Sequence, residues 1–398
     1  MIRISDRVNT LSPSATLAMS QLSNELKAKG IDVINMSVGE PDFNTPEFIK
    51  QAAKQAVDDN FSHYSPVAGY ASLRRAVADK LLRENDLHYE PENIVIGNGA
   101  KQELCNVVLA LINPGDEVII PVPAWVSYVE MVKLAGGVPV TIYAGIEQHF
   151  KITPDQLEQA ITDKTRLMMF NSPSNPTGAV YTNDELEALS GVLRRHPDII
   201  VMADEIYEHI CFTEPPRSFA SFDGMKERTV IINGVSKAYA MTGWRIGYLA
   251  APLEIAKAVS KLQGQYTSGA SSIAQKAAEA AYTGPQDCVE QMRQSFERRR
   301  DLTVQLAGEV AEWKTNNPTG AFYLFPDVMG CLSKRTPEGE LISTSSDYVM
   351  YLLQQAHVAC VAGEAFCAPG YVRLSYATSE DNIRKALARI TEANVRLI

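Results

Sequence analysis

The chain has 398 residues, of which 45% are hydrophobic and 21% are charged, and its formal net charge is −10. A chain of this length is expected to fold as two domains, or as one large domain with a subsidiary one, and it has ample apolar material for a core. The acidic balance disfavours a general role at nucleic acids or membrane surfaces, although it leaves room for local basic pockets that bind acidic small molecules.

The cysteines and the amino terminus indicate the compartment. Six cysteines are scattered without a C-x-x-C pair or zinc-finger spacing, so we expect neither a cysteine-bound zinc centre nor a disulfide framework, and a reducing cytoplasm. Residues 1–30 carry charges throughout and hold no continuous apolar core. This pattern predicts neither a signal peptide nor a membrane anchor.

The chain begins with a predicted helix and a turn-rich segment. Apolar residues recur at helical spacing over 15–29, and a short strand at 32–38 follows. Residues 39–48 then form a segment with two prolines, which leads into another helix. We place the first domain boundary in this segment, so that residue 45 begins the next domain.

Between about residues 65 and 285, helices alternate with short β-rich runs. Several runs are almost wholly apolar, which is typical of strands buried on both faces of a largely parallel sheet that is wrapped by helices. The sequence therefore predicts an α/β domain with a mostly parallel seven-stranded sheet. The predicted strands are 93–98, 117–122, 138–143, 166–172, 199–205, 229–234 and 245–251.

The last part of the chain predicts a smaller α+β unit. A charged helix begins after residue 286, strand-like runs lie at 321–327 and 371–377, and a final helix follows Ser379. The N-terminal segment is expected to pack on this unit. The expected division is a large domain and a small domain from both chain ends, namely 45–285, and 1–44 with 286–398.

Polar and small residues directly follow several of the predicted strands. In open α/β sheets, ligands bind beyond the carboxyl ends of the strands, where such residues meet. The sequence therefore predicts one binding site at that edge, formed by Gly99–Lys101, Asn175, Asp204 with Tyr207, and Ser236 with Lys237.

The stretch "IVIGNGAKQELCNVVLALI" (94–112) runs from a strand through a glycine-rich turn into a helix. Backbone N–H groups at such a helix start can hold a phosphate. A dinucleotide fingerprint would need a third glycine where Gln102 stands, which disfavours NAD. A phosphate cup and a purely structural turn both remain open.

Asn175 and Asp204 each follow a strand-like run, and each has a structural alternative. The loop "NSPSNPTG" (171–178) is rigid because of its prolines; by itself it is an ordinary turn that could present the Asn175 amide to a ligand oxygen. Asp204 ends an apolar strand, where a carboxylate needs a partner. That partner could be a cation in a salt bridge, a metal shared with Glu208 and His209, or a protonated ring nitrogen.

Two cations, Lys237 and Arg245, lie close together in the otherwise apolar stretch "GVSKAYAMTGWRIGYLA" (234–250). Like charges repel in poorly hydrated surroundings, so we expect an anion between them or an unusual lysine. The forked guanidinium suits phosphate, and a lysine with a lowered pKa suits covalent carbonyl chemistry. If Lys237 and Arg245 instead lie on the protein surface, neither a bound anion nor an unusual lysine is needed.

Arg373 stands in the middle of the predicted strand in "APGYVRLSYA" (368–377), among apolar residues. A buried guanidinium needs an anion, either inside the protein or bound from outside. A small carboxylate substrate bound through two hydrogen bonds and an internal ion pair both remain open.

In this order and spacing, the stretches "NSPSNPTG", "DEIYEH", "SKAYAMTGWRIGY" and "YVRLSYA" closely resemble the class I aminotransferases, which are fold-type-I enzymes that use pyridoxal 5′-phosphate (PLP). The resemblance extends from about Arg3 to the C-terminus, and "SKAYAMTGWRIGY" is its most specific part. The stretches "LSPSATLAM" and "GNGAKQ" resemble bacterial aspartate aminotransferases of the Ib subgroup in particular. The resemblance implies a homodimer with its active site at the subunit interface.

The resemblance also implies a cofactor role for most of the predicted site. Lys237 would form the Schiff base with PLP, and Asp204 would hold the pyridine nitrogen protonated. Tyr207 and Asn175 would bond the phenolic oxygen of the ring, and Asn175 would also touch the substrate. The phosphate would be held by Ser236, by Arg245 and by the backbone of Gly99, Ala100 and Lys101.

The remaining implied roles concern the substrate and the partner subunit. Trp125 would stack on the ring face beside the substrate, and Tyr64 would reach the phosphate of the neighbouring subunit. Gly39 and Arg373 would bind the α-carboxylate of the substrate, and Lys101 would contact its distal carboxylate.

The implied reaction is amino-group transfer between L-aspartate and 2-oxoglutarate by a ping-pong mechanism. Wider specificity, including aromatic amino acids or prephenate, remains open, as does another PLP reaction such as that of a carbon–sulfur lyase. The acidic charge disfavours a non-catalytic DNA-binding regulator built on the same fold. The turn "GEAFCAPG" (363–370) adds Glu364 and Cys367, whose effect near the site the sequence does not predict.

Overall fold

The computed structural model describes residues 2–214 and 217–398. Its α-helices are α1 Asp6–Asn9, α2 Ala15–Ala28, α3 Glu47–Asp58, α4 Ala71–Asn85, α5 Ala100–Leu111, α6 Ser127–Ala135, α7 Pro154–Ala160, α8 Asn183–Arg194, α9 Leu253–Tyr266, α10 Ser272–Thr283, α11 Asp287–Ala307, α12 Ser345–Tyr351 and α13 Glu380–Val395. Its β-strands are β1 Ile34–Asn35, β2 Ile94–Asn98, β3 Glu117–Val122, β4 Val138–Tyr143, β5 Thr165–Asn171, β6 Ile200–Asp204, β7 Thr229–Gly234, β8 Ile246–Ala250, β9 Tyr323–Leu324, β10 Val358–Ala359, β11 Val361–Ala362 and β12 Val372–Ser375. No helix within these ranges has the length and apolar character needed to cross a bilayer.

The largest sheet in the described part of the chain has seven strands, in the spatial order β2-β8-β7-β6-β5-β3-β4. Neighbouring strands are parallel except at β8, which runs antiparallel to both β2 and β7. The prediction of an α/β fold with a mostly parallel seven-stranded sheet is confirmed. Because the other six strands point the same way, their carboxyl ends meet along one edge.

The sheet is buried on both faces, which explains the apolar runs in the sequence. On β5, Leu167 and Met169 pack in a cluster with α5, α6 and α9, whereas Met168 packs with α7 and α8. Successive side chains of a strand point to opposite faces, so a strand that is covered on both sides is apolar at nearly every position.

Another apolar cluster gathers residues from both ends of the chain. Met19 of α2 packs in it with Phe296 of α11, Leu374 of β12 and Ile390 of α13. Strand β1 pairs in parallel with β10, and β11, β12 and β9 form a three-stranded antiparallel sheet. The predicted division into two domains stays a prediction.

Strand β9 is shorter than the sequence predicts. The sequence predicts a strand over 321–327, and only Tyr323–Leu324 are paired as one. Ala321 has a φ of 55°, which lies outside the extended region. Pro326 has no N–H to donate to a neighbouring strand. Regular pairing is therefore interrupted at both ends of the predicted run, and Asp327 makes only isolated bridges, to Lys314 and Tyr371.

Helix α5 carries a carboxyl group in the protein interior. The Glu103 side chain is fully buried; its Oε2 accepts a hydrogen bond from Asn106 Nδ2 at 3.2 Å, and its Oε1 has no partner in the described part of the chain. Burial raises the pKa of Glu103 to about 8 because the charged form loses its hydration, and the Asn106 bond offsets only part of this effect. Glu103 is therefore mostly protonated at neutral pH.

We predict that Glu103→Gln makes the protein more stable than the wild type as pH rises, because the variant need not take up a proton at this position when it folds. Because the pKa is raised in the folded protein, the stability that Glu103 contributes is full below its ordinary pKa of 4.5 and is lost as pH rises through about 8. The difference in unfolding free energy, variant minus wild type, should therefore grow by up to about 1.4 kcal/mol per pH unit between those values. Urea denaturation at several pH values measures it.

Glu92→Gln, at an exposed position, is the control for the loss of a surface carboxylate. A difference between Glu103→Gln and wild type that stays constant with pH would contradict the prediction, because it would mean that Glu103 takes up no proton on folding.

Candidate active site

A cavity of about 350 Å³ lies where the residues that follow the strands meet. Most of the predicted site residues line it, namely Gly39, Ala100, Lys101, Trp125, Asn175, Asp204, Tyr207, Ser236, Lys237, Arg245 and Arg373. Gly99 caps the start of α5 beside them, whereas Tyr64 lies outside the cavity lining and is 99% exposed. The structure thus brings these residues together, while their roles stay predictions.

The amino-terminal end of α5 forms one wall of the cavity. Gly99 joins β2 to α5 with a φ of 82°, which favours glycine, and a side chain there would come within 2.5 Å of the Arg245 guanidinium. The N–H groups of Ala100 and Lys101 are the first of the helix and have no acceptor within it. Since Arg245 also donates to the Asn98 carbonyl at 3.2 Å, its charge is held close to the same wall. This arrangement suits an anion.

The sequence predicts that Arg245 begins a strand, but in the structure it does not. Its φ of 58° lies in the left-handed region, so β8 begins one residue later, at Ile246, and the predicted range 245–251 is wrong by one residue at each end. The Thr242 carbonyl accepts a hydrogen bond from Nη1 of Arg245 at 2.9 Å. The guanidinium is therefore fixed by backbone oxygens and keeps its charge free for a ligand.

Asp204 ends β6 and is buried, with both carboxylate oxygens hydrogen-bonded. Tyr128 Oη donates to Oδ2 at 2.6 Å, and the Ile206 N–H donates to Oδ1 at 3.2 Å. Burial raises the pKa of Asp204 to about 6, although these hydrogen bonds and the charge of Lys237 lower it. Asp204 is therefore mainly ionised at neutral pH, and an ionised carboxylate favours a positive charge beside it.

Glu208 and His209 do not form a site with Asp204, which overturns the metal arrangement that the sequence left open. They gather instead with Glu84, whose Oε2 lies 2.9 Å from His209 Nε2. The buried ammonium of Lys80 contacts Glu208 and supplies the positive charge for these carboxylates.

Lys237 lines the same cavity, and its amine is hydrogen-bonded to the backbone. Its Nζ donates to the Gly39 carbonyl at 2.7 Å. Burial lowers the pKa of Lys237 to about 8, and the positive charges of Arg373 and Arg245 add to this effect, although nearby carboxylates, Glu40 foremost, oppose it. The amine is thus partly neutral near physiological pH, as carbonyl chemistry requires.

Arg373 is buried to 1% exposure without a carboxylate partner in the described part of the chain. Its Nη1 donates to Asn175 Oδ1 at 2.8 Å, its Nη2 donates to the Ser37 carbonyl at 2.6 Å, and its Nε has no partner among the described residues. The rings of Tyr323 and Phe366 lie 4.6 and 5.0 Å from the guanidinium. Within the described residues this excludes the internal ion pair and leaves an external anion as the partner.

The loop that carries Asn175 is tied to the end of β6. Asn171 Oδ1 accepts the Asn175 N–H at 2.8 Å, and Asn171 Nδ2 donates to the Asp204 carbonyl at 2.8 Å. Because Arg373 occupies Asn175 Oδ1, the amide NH₂ of Asn175 is the group left to meet a ligand.

A further cation in the cavity, Lys101, lies over an aromatic ring. Its Nζ is 4.8 Å from the centroid of Trp125, which in turn meets Tyr128 edge to face at 5.5 Å. Burial and the charge of Arg245 lower the pKa of Lys101. The cavity therefore offers a cationic group besides Arg373 and Lys237.

Two tyrosines of the site are absent from the sequence prediction. Tyr128 donates to Asp204, and Tyr323 Oη lies 2.8 Å from Tyr207 Oη. Neither follows a predicted strand with other polar residues, and only Tyr128 had a signal, since it ends the stretch "PAWVSY" that contains Trp125. The cavity is also lined by residues at the start of α2, namely Ser14, Thr16 and Leu17.

Glu364 and Cys367, whose effect the sequence leaves open, lie outside the cavity lining. Glu364 accepts hydrogen bonds from the Ser345 N–H at 2.8 Å and from the Ser346 hydroxyl at 3.3 Å. These bonds hold the start of α12. Cys367 is exposed, with a φ of 59°.

A family model described as "Aminotransferase class I and II" matches residues 31–390. The chain belongs to this family. It is 48% identical over 394 residues to the aspartate/prephenate aminotransferase of Cereibacter sphaeroides, and this match covers 98% of each chain. It is 47% identical to the aspartate aminotransferase of Geobacillus stearothermophilus, again over 98% of each chain.

Solved aminotransferase structures have the same fold. The aspartate aminotransferase of Rhizobium meliloti superposes with a TM-score of 0.96 at 43% identity, and the match covers 100% of both chains. The Thermus thermophilus aspartate aminotransferase with maleate gives a TM-score of 0.92 at 41% identity, over 99% of this chain and 100% of that one. The resemblance to fold-type-I aminotransferases is confirmed.

The protein is therefore an aminotransferase, and its cofactor is PLP. The cavity fits the three reactive parts of this molecule. The start of α5 and Arg245 suit the phosphate, the ionised Asp204 suits a protonated ring nitrogen, and Lys237 suits the aldehyde.

We predict that the Lys237 amine of the cofactor-free aminotransferase titrates near pH 8. Since only the neutral amine is nucleophilic, its rate of acylation should rise with pH and level off above about 8. Peptide mass spectrometry after brief treatment with an acylating reagent at several pH values measures this rate, with the exposed Lys261 as the internal reference. An inflection for Lys237 at about 10 or higher would contradict the prediction.

Proposed function

We propose that this aminotransferase moves the amino group between L-aspartate and 2-oxoglutarate, giving oxaloacetate and L-glutamate. The proposal is carried by the buried Arg373 guanidinium, which has no carboxylate partner in the described residues and shares its cavity with the cation of Lys101. Both proposed substrates are dicarboxylates, so each can bind both cations at once. The names of the relatives, aspartate and aspartate/prephenate aminotransferases, support the same substrate class.

Arg373 would bind the α-carboxylate that all amino-acid substrates share. Its planar fork can donate two parallel hydrogen bonds to a carboxylate, and Asn175 and Gly39 would border the same group. Lys101 would pair with the distal carboxylate from its place over Trp125. The distance between the two cations would then select for the length of the substrate.

The cofactor would be held by residues of the same cavity. When bound, PLP supplies an electron sink that stabilises negative charge at the substrate α-carbon. Lys237 would hold the aldehyde, Asp204 would keep the ring nitrogen protonated, and Trp125 would stack on the ring. Tyr207 and Asn175 would donate to the ring oxygen. The phosphate would be held by Ser236, by Arg245 and by the backbone of Gly99, Ala100 and Lys101.

Lys237 would also move the proton. Its lowered pKa of about 8 leaves part of the amine neutral at physiological pH, which a general base needs. Once the substrate amine has taken its place, the Lys237 amine would remove the proton at the substrate α-carbon. The keto acid product would leave before the second substrate binds, which gives ping-pong kinetics.

Prephenate is a second candidate substrate. Two relatives that are 48% and 47% identical to this chain are named aspartate/prephenate aminotransferases. Prephenate carries two carboxylates, so Arg373 and Lys101 would bind it in the same way. An assay with glutamate as donor and prephenate as acceptor tests this specificity; product formation no faster than without prephenate would exclude it.

We also propose a homodimer in which Tyr64 of each subunit reaches the neighbouring site. Tyr64 is 99% exposed in the single chain, and aromatic side chains are enriched at protein interfaces. The homodimer, the role of Tyr64 and the cytoplasmic location stay predictions.

We predict that the PLP-loaded protein releases one oxaloacetate per active site when aspartate is added without a keto acid. Without an acceptor the reaction stops after one half-reaction, so the yield should equal the number of sites. Lys237→Ala should slow this release by about 10⁴-fold, because the variant lacks the base and the covalent link. Malate dehydrogenase and NADH report the oxaloacetate. Continuous release of oxaloacetate without an acceptor would contradict amino transfer.

We predict that Lys101→Ala lowers kcat/KM for aspartate by about 30-fold, because one charge-assisted hydrogen bond of about 2 kcal/mol is lost. For alanine or phenylalanine, which have no distal carboxylate, the loss should be at most about 3-fold. Steady-state kinetics with the three amino acids measures both values. Lys261→Ala, an exposed lysine outside the cavity lining, is the matched control. Equal losses for all three substrates would remove the assignment of Lys101.

A further inference from the structure

We propose that Tyr323 is a positioning residue: its hydroxyl orients the hydroxyl of Tyr207, and its ring packs against the guanidinium of Arg373. The inference rests on the proposed function only in taking Tyr207 as a donor to the ring oxygen of PLP. It adds a link between the part of the cavity assigned to the cofactor and the part assigned to the substrate carboxylate.

The two tyrosines form an isolated pair of hydroxyl groups. Tyr207 and Tyr323 are both buried, their Oη atoms are 2.8 Å apart, and their rings meet nearly at right angles, with centroids 5.9 Å apart. Among the described residues, neither hydroxyl has another hydrogen-bond partner. Each hydroxyl therefore depends on the other for its orientation.

Tyr323 is also fixed by its other neighbours. The guanidinium of Arg373 lies 4.6 Å from its ring centroid, and a side chain in place of Gly39 would collide with its hydroxyl. Tyr323 belongs to β9, which pairs with β12, the strand that carries Arg373. The ring therefore cannot turn away from Tyr207 without leaving Arg373.

The direction of the hydrogen bond decides what Tyr207 can offer to a ligand. Each hydroxyl has one proton to donate, so if Tyr207 donated to Tyr323 it would have none for the cavity. Burial raises the pKa of both hydroxyls; the nearby charge of Arg373 offsets part of this effect at Tyr323, whereas the pKa of Tyr207 is raised well above its ordinary value. Tyr323 is thus the better donor, which leaves the Tyr207 proton free and strengthens its donation.

The first test is the pH midpoint of the visible absorbance of the PLP-loaded protein without substrate. Donation by Tyr207 stabilises negative charge on the ring oxygen. Weaker donation should leave more negative charge there, which makes the proton on the neighbouring Schiff-base nitrogen of Lys237 bind more tightly and raises the midpoint. We expect Tyr207→Phe to raise it by about one unit and Tyr323→Phe by about half a unit. Tyr323→Phe keeps the ring beside Arg373, so KM for aspartate should stay within about 2-fold while kcat falls by about 5-fold.

The second test is the double variant. If Tyr323 acts through Tyr207, Tyr207→Phe with Tyr323→Phe should have the midpoint and the PLP dissociation constant of Tyr207→Phe alone. Tyr376→Phe is the matched control, because Tyr376 is equally buried, lies directly after β12 and lies outside the cavity lining. It should leave the midpoint unchanged.

The outcomes separate this inference from the proposed function. A shift with Tyr207→Phe but none with Tyr323→Phe, or additive shifts in the double variant, would overturn the coupling. No shift with Tyr207→Phe would overturn the coupling and the role proposed for Tyr207 together. Because the midpoint is measured without substrate, failure to use aspartate would refute the proposed substrate and leave the coupling standing.

Discussion

The guanidinium of Arg373 is buried against neutral oxygens and aromatic rings, and no carboxylate among the described residues compensates its charge. A buried charge of this kind costs stability, and a protein selected for stability alone would pair it or replace it. The buried positive charge of Lys237 is also costly. Burial lowers its pKa, and the nearby carboxylates do not fully compensate this effect. These residues make the cavity a place where anionic ligands stabilise the folded protein by binding.

The cavity exists only where two sheets approach each other. Asp204 and Lys237 follow strands of the seven-stranded sheet, whereas Tyr323 and Arg373 stand on strands of the three-stranded sheet. Hydrogen bonds join the two groups, since Tyr207 meets Tyr323, Asn175 accepts from Arg373, and Lys237 donates to the Gly39 carbonyl. Apolar contacts, such as that of Tyr207 with Phe322, lie beside them. Small movements of one sheet relative to the other would therefore change the distance between the groups proposed to bind cofactor and substrate.

The seven-stranded sheet and most of the cavity could be predicted because local patterns report them. An apolar run that ends at Asp204 indicates both a buried strand and the position of its carboxyl end. A charged residue within an apolar run, such as Arg373, indicates a buried charge that needs a partner. The contacts of Tyr128 and Tyr323 could not be predicted in this way. Tyr323 meets Tyr207 across 116 positions of the chain, and nothing near Tyr323 in the sequence marks that contact. The cluster around Lys80 likewise joins distant segments.

The hydrogen bond from Arg373 to Asn175 has a consequence for chemical selectivity. Because Asn175 Oδ1 accepts from the guanidinium, the amide NH₂ is the group that Asn175 would present to a ligand, and turning the carboxamide over would break its hydrogen bond to Arg373. A deprotonated ligand oxygen would accept a stronger hydrogen bond from this NH₂ than the same oxygen in its protonated form. Through its hydrogen bond to Asn175, Arg373 would thus influence which protonation state of a ligand the site prefers.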